Sequence, residues 1–304
     1  MSKPILYSTY EKSPKCIQIS ASLTAQPASK LHLTGLLGSG FSFVTRSLFT
    51  QTELPFLLVF NNKEEAAYYL NDMEQLVGEK DVLFYPASFR RPYQIEETDN
   101  ANVLLRAEVL NRINSRKKPA VIVTYPEALF EKVVTRKELD KNTLKVAVND
   151  KISIDFINEV LFEYEFKRVD FITEPGEFSV RGGIVDVFSF SNDNPYRIEF
   201  FGNEVESIRT FDVATQLSIE TKKKITIIPN VENSFFQENR ESFLDYISPQ
   251  TVIFIQNTEL LLADLDKHFG KAEEAFAKLS QEIKRATPEQ LFLNQASFIK
   301  RALD

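Results

Sequence analysis

Two unbroken apolar runs, PFLLVF at 55–60 and AVIVTY at 120–125, constrain this chain more than any other feature. A strand with one wet face alternates apolar and polar residues. A run with no polar face belongs to a strand covered on both sides, as in a parallel sheet flanked by helices. Helical patterns separate these runs. Asn61 and Asn62 can cap a helix from Lys63 to Val77, with Glu64 and Glu65 in the first turn, where the helix dipole favours acids. Val82–Tyr85 reads as a short strand. Ala101–Ile113 is amphipathic, with Leu104, Ala107 and Leu110 on one stripe that Leu105 and Val109 widen. Pro126 opens a further helix. Leu31–Leu37 reads as a strand before a glycine-rich turn, and Phe41–Phe49 as the helix after it. Strand–helix alternation of this kind predicts a parallel α/β domain.

The pattern changes near residue 140. Thr135–Asn142 is polar enough for a hinge. Ser153–Phe166 is one amphipathic helix with Ser153 as its cap. Strands joined by short turns follow at Arg168–Thr173, Glu177–Phe190, Tyr196–Phe201 and Glu204–Phe211. Pro175-Gly176 and Asp193-Asn194-Pro195 supply turn chemistry, and Gly182-Gly183 is expected to mark a bulge. This is the pattern of an antiparallel sheet with one helix on it. From about 230 the earlier style returns, with a strand at Thr251–Gln256 and helical patterns at Glu259–Lys278 and Pro288–Leu303. The expected organisation is α/β: a parallel-sheet domain formed by 1–142 and 230–304, interrupted by an α+β domain at 143–229.

Composition limits the chemistry. The net charge of −7 is wrong for a general nucleic-acid binder, whose affinity comes largely from phosphate contacts. The basic spots at Arg90-Arg91, Arg116-Lys117-Lys118 and Lys222-Lys223-Lys224 read as solvated turns. Cys16 is alone, so no internal disulfide can form, and with His32 and His268 it makes no zinc spacing. No metal site is expected. No apolar run approaches the ~20 residues of a membrane span, and the N-terminus has no signal core, so the expected location is cytoplasmic.

Two constellations carry possible function. Gly35, Gly38, Gly40, Phe41 and Ser42 lie in a segment that follows the phosphate-loop pattern G-x-x-x-x-G-K-[ST], except that Phe41 stands where the lysine belongs. Phe supplies no charge for phosphoryl transfer. The strand ends at Phe60-Asn61 and Thr124-Tyr125 offer no acid for Mg2+. The loop is either a simple turn or a weak anion cradle; ATP hydrolysis is not expected. The second constellation is YRIEFF at 196–201. Tyr196, Ile198 and Phe200 share the core face, which leaves Arg197, Glu199 and Phe201 on the other. Arg181 lies in the neighbouring strand. Arginine and aromatic side chains dominate binding hot spots. The alternative is that Phe201 tucks under the Gly202-Asn203 turn while the arginines make surface salt bridges.

The stretches GEFSVRGGIVDVF (176–188), YRIEFFG (196–202) and EVESIRTFD (204–212) resemble the second domain of the excision-repair helicase UvrB. They resemble still more closely the corresponding domain of the bacterial transcription-repair coupling factors. The resemblance covers essentially the whole chain and is strongest from about 150 to 230. Two departures favour the coupling factors. One is Phe41 in the phosphate loop. The other is the short passage from Phe84-Tyr85-Pro86 through Arg90-Arg91-Pro92-Tyr93 to Asn100, which leaves no room for UvrB's Tyr-rich DNA hairpin.

The resemblance implies a RecA-like first domain with a degenerate phosphate loop, and UvrA as the partner of the inserted domain. Arg181, Arg197 and Phe201 match the family's UvrA-contacting positions. It also implies that the chain is a fragment. RNA polymerase and DNA would be engaged by C-terminal domains absent from it, and ATP and Mg2+ would be needed only in those absent motor domains. The competing readings are a UvrB-type DNA-stimulated ATPase and a DNA-binding module.

Overall fold

The computed structural model describes residues 5–25, 30–88, 93, 100–115, 118–190, 192–231, 240–278 and 286–303. The chain divides into two compact units, one formed by 1–87, 115–132 and 242–304, the other by 88–114 and 133–241.

The first unit is built on four parallel strands: β1 (Phe56–Val59), β2 (Val82–Phe84), β3 (Val121–Thr124) and β14 (Val252–Ile255), in the order β14-β1-β3-β2. The two apolar runs form the central pair. Phe56, Leu57, Leu58, Val121 and Val123 have no solvent exposure at all. Burying each such side chain contributes roughly 1.5–3 kcal/mol. The helices are α1 (Ile5–Glu11), α2 (Pro14–Ala25), α3 (Gly40–Thr52), α4 (Lys63–Val77), α6 (Pro126–Phe130), α9 (Phe243–Tyr246), α10 (Thr258–Ala277), α11 (Pro288–Leu291) and α12 (Gln295–Phe298). Helix α4 begins where the cap predicts: the Asn62 side chain accepts from the Glu65 amide at 2.9 Å. It packs on β2 and β3, and α3 packs on α4.

Two expectations in this unit are corrected. Leu31–Leu37 joins no sheet, and Leu31 and Leu37 are exposed. Both sides of β1 are already occupied, by β14 and β3, and the segment lacks the continuous apolar character of its neighbours. The helix expected over Pro288–Leu303 is broken into α11, α12 and a terminal π-helical turn at Ile299–Leu303. Between them, the Leu293 amide bonds to the Phe130 carbonyl and the Lys132 amide to that of Leu291, which takes the chain out of helical geometry.

The second unit carries a six-stranded sheet, β11-β10-β9-β8-β7-β6. Its strands are β6 (Lys167–Arg168), β7 (Glu177–Arg181), β8 (Ile184–Val187), β9 (Tyr196–Phe201), β10 (Glu204–Phe211) and β11 (Ser218–Thr221). All pairs are antiparallel except β6–β7. Two small ladders accompany it: β4 (Val133–Val134) with β13 (Arg240–Glu241), and β5 (Leu144–Ala147) with β12 (Lys224–Ile227). Helix α5 (Asn100–Ser115) belongs to this unit and buries Val103, Arg106, Ala107, Val109 and Leu110. Helix α8 (Ile154–Glu163) is capped by Ser153, whose hydroxyl accepts from the Phe156 amide at 3.1 Å. It buries Ile157 and Leu161, and its Phe162 meets Phe178 edge-on at 5.2 Å.

Three readings change here. The segment taken for a hinge forms α7 (Arg136–Lys141), because Thr135 accepts from the Glu138 amide and starts a helical turn. The strand expected at Arg168–Thr173 is only the two-residue β6. Gly182-Gly183 is not a bulge inside one long strand. It is the two-residue turn of a hairpin between β7 and β8, with Gly182 at φ +59°, where glycine carries no steric cost. Of the basic spots, Arg90-Arg91 and Arg116-Lys117 lie outside the described residues, as does most of the passage from Arg90 to Asn100. Lys222 pairs with Glu220 at 2.6 Å.

Candidate docking face

Register and alternation give the six-stranded sheet two distinct faces. Strand β9 buries Tyr196, Ile198 and Phe200 and directs Arg197, Glu199 and Phe201 the other way. Asp186 pairs across the ladder with both Ser179 and Arg197, and Arg197 pairs in turn with Arg209. Arg181 pairs with Ile184, and Ile184 with Glu199. Since side chains alternate with period two, all of these lie on the face opposite Tyr196, Ile198 and Phe200.

At the centre is Asp186, 1% exposed. A buried carboxylate needs partners to offset its lost hydration. Arg197 supplies two parallel bonds, Nε to Oδ1 at 2.7 Å and Nη2 to Oδ2 at 2.8 Å. This fork is the strongest geometry open to a guanidinium–carboxylate pair. Arg197 Nη2 also donates to Gln216 Oε1 at 3.1 Å, and its guanidinium lies 4.2 Å from the Phe211 ring centre. Phe211 belongs to a small buried cluster with Ile172 and Phe188. The hydrogen bonds to Asp186 raise the Arg197 pKa against the opposing effect of burial, and the charges of Asp186 and Glu199 raise it further.

Arg181 is held more loosely. Its Nη2 donates to Asp186 Oδ2, the oxygen Arg197 already uses. Its side chain is 41% exposed against 14% for Arg197. The guanidinium sits 5.2 Å from the ring centre of exposed Phe171. Beside it, Glu199 accepts from Arg209 and from the Ser207 hydroxyl, both at 2.5 Å.

Phe201 ends β9 on this same face and is 81% exposed. It does not tuck under the Gly202-Asn203 turn. The structure therefore brings Arg181 and Arg197 together on one carboxylate and leaves Phe201 bare four residues along the strand, about 13 Å from Arg197.

The glycine-rich segment of the first unit is arranged differently. Gly35 and Gly38 have positive φ, and α3 begins at Gly40. Phe41 packs edge-on against Phe60 at 5.6 Å, Tyr69 at 5.4 Å and Phe254 at 6.1 Å. Ser42 is fully buried and donates its hydroxyl hydrogen to Asp72 Oδ2 at 2.8 Å. Both side chains are committed to internal packing. Among the described residues no cluster of three or more His, Cys, Asp or Glu side chains could hold a metal ion, and no helix is long and apolar enough to cross a membrane.

Sequence reasoning missed Asp186, Phe171 and Gln216. A signal for Asp186 was present: an acid inside the apolar run IVDV, on the same parity as Phe188, must be buried and therefore paired. Phe171 and Gln216 lie outside regular strands, where periodicity says nothing.

Residues 144–232 match the family described as the UvrB interaction domain. The chain is 34% identical over 201 residues to the transcription-repair-coupling factor of Bacillus subtilis, covering 66% of this chain and 17% of that protein. It is 29% identical over 204 residues to that of Rickettsia bellii, with 67% and 18% covered. The corresponding protein of Myxococcus xanthus is 28% identical over 217 residues, with 69% and 18% covered. The chain thus spans less than a fifth of the length of these relatives. The six-stranded sheet and its arginine–carboxylate cluster fall inside the family match, and about two thirds of the chain is similar to the N-terminal region of the transcription-repair-coupling factors.

Proposed function

We propose that this chain is the UvrA-recruiting module of a transcription-repair coupling factor, and that it has no catalytic activity by itself. One observation carries the reading. Within the segment matching the UvrB interaction domain, a bare Phe201 shares a sheet face with two arginines organised on one buried carboxylate. An exposed aromatic beside oriented guanidiniums is the composition of a protein-binding hot spot, where truncating one anchor typically costs ~2 kcal/mol or more. The first unit serves as a RecA-like scaffold whose glycine-rich loop has lost its phosphate chemistry: Phe41 is packed among rings and Ser42 is engaged by Asp72. DNA, RNA polymerase, ATP and Mg2+ would be handled by other parts of the full-length factor, which acts in the cytoplasm.

The test is direct binding of purified UvrA to the chain and to Arg181→Ala, Arg197→Ala and Phe201→Ala. UvrA binds the wild type, and each variant binds more weakly while keeping its folded spectrum. Wild-type affinity in all three removes this face from the function. An ATPase assay with duplex DNA present should show no turnover; turnover abolished by changing Gly40 would restore the enzyme reading.

A further inference from the structure

We propose that Asp186 is a positioning residue for partner binding. Its single buried carboxylate sets the direction of both Arg181 and Arg197, and Phe171 supports Arg181 from beside it. The inference rests on the docking reading above and assigns roles to Asp186 and Phe171, neither of which that reading tests.

The geometry divides the labour. Arg197 is fixed from three directions: two bonds to Asp186, one to Gln216, and the Phe211 ring against its guanidinium. Nothing comparable holds Arg181, which shares Oδ2 with Arg197, leans toward Phe171 and is open to solvent. Two guanidiniums therefore divide one negative charge, while neighbouring Glu199 and Arg209 neutralise each other. The cluster keeps one uncompensated positive charge, carried on the exposed arm. A partner with an acidic side chain opposite this point meets Arg181 already oriented, so little rotamer freedom is lost on binding.

This assignment predicts a sign that charge alone would reverse. If Asp186 mattered only through its charge, Asp186→Asn would strengthen the positive field and tighten an acidic partner. If it positions, the same change frees both arginines and weakens binding.

The experiment measures UvrA affinity by titration against the full chain, with circular dichroism and melting recorded in parallel. Asp186→Asn is expected to bind at least about tenfold more weakly, with most of that loss absent when Arg181 and Arg197 are both already alanine. Equal or tighter binding by a folded Asp186→Asn overturns the proposal. Should that variant fail to fold, Phe171→Leu decides. It weakens binding severalfold in the wild-type background and has no effect beside Arg181→Ala; equal weakening in both backgrounds overturns the proposal. Retained binding by Asp186→Asn alongside loss by Phe201→Ala sinks this inference and leaves the docking reading intact. Wild-type binding by Arg181→Ala, Arg197→Ala and Phe201→Ala alike removes both.

Discussion

Ser42 gives its hydroxyl hydrogen to Asp72, 2.8 Å away on the next helix, and is wholly buried in doing so. In a working phosphate loop that hydroxyl faces a metal ion. Here it ties α3 to α4. Placing a lysine at position 41 alone should therefore not create nucleotide chemistry. Phe41→Lys is expected to lose about 2–3 kcal/mol of stability, since three ring contacts go and a charge replaces them. Phosphate release from ATP should stay at background. Chemical denaturation and a phosphate assay check the two halves of this statement.

The two arginines on Asp186 should separate in stability. Arg197→Ala leaves a buried carboxylate with only the shared bond from Arg181, at a cost of about 2–3 kcal/mol. Arg181→Ala leaves the bidentate pair intact, so its cost stays under about 1 kcal/mol. Urea midpoints for the two variants read this difference. Equal midpoints would contradict the unequal grip seen in the structure.

Gly176 lies in the turn just before β7 at φ +89°, and a Cβ there would lie 2.7 Å from the Phe190 ring. Gly176→Ala meets an unfavourable backbone conformation and a clash at once. The expected loss is roughly 2 kcal/mol, visible as a lower melting temperature. Gly202→Ala has the backbone strain without the clash, since nothing lies near its Cβ, and should lose less.

Burial pushes the Tyr196 phenol from 10.0 up to about 12. The unfolded chain therefore releases this proton at lower pH than the folded one. Stability contributed by the neutral phenol is complete below pH 10 and lost as pH rises through about 10 to 12. Tyr164, also raised to about 12 by burial and by the charge of Glu163, acts in the same window. Tyr196→Phe should flatten the alkaline limb of the stability profile, measured by denaturant midpoint against pH.

The sheets were legible where one physical signal dominated. Pro55–Phe60 and Ala120–Tyr125 lack a polar face, and no element but a doubly covered strand fits them. The alternation of Tyr196–Phe201 placed Arg197 and Phe201 on the outer face, and the structure puts them there. Gly182-Gly183 misled because paired glycines suit a bulge and a hairpin equally; only the pairing of Arg181 with Ile184 decides. Leu31–Leu37 misled because a strand before a glycine-rich turn is a strong template, whereas sheet membership depends on a free neighbour. Phe171 and Gln216 reach the site from irregular backbone, so their contribution follows from the assembled sheet and not from any local period.

The pairing of β14 with β1 has a consequence for synthesis. One side of β1 stays unsatisfied until Val252–Ile255 has left the ribosome, long after β2 and β3 are available. The ladders of the second unit all lie between Val133 and Glu241 and need nothing from beyond them. The nascent chain should therefore complete its six-stranded sheet while the parallel sheet still has an open edge, and a chain halted before Val252 would display that edge to aggregation.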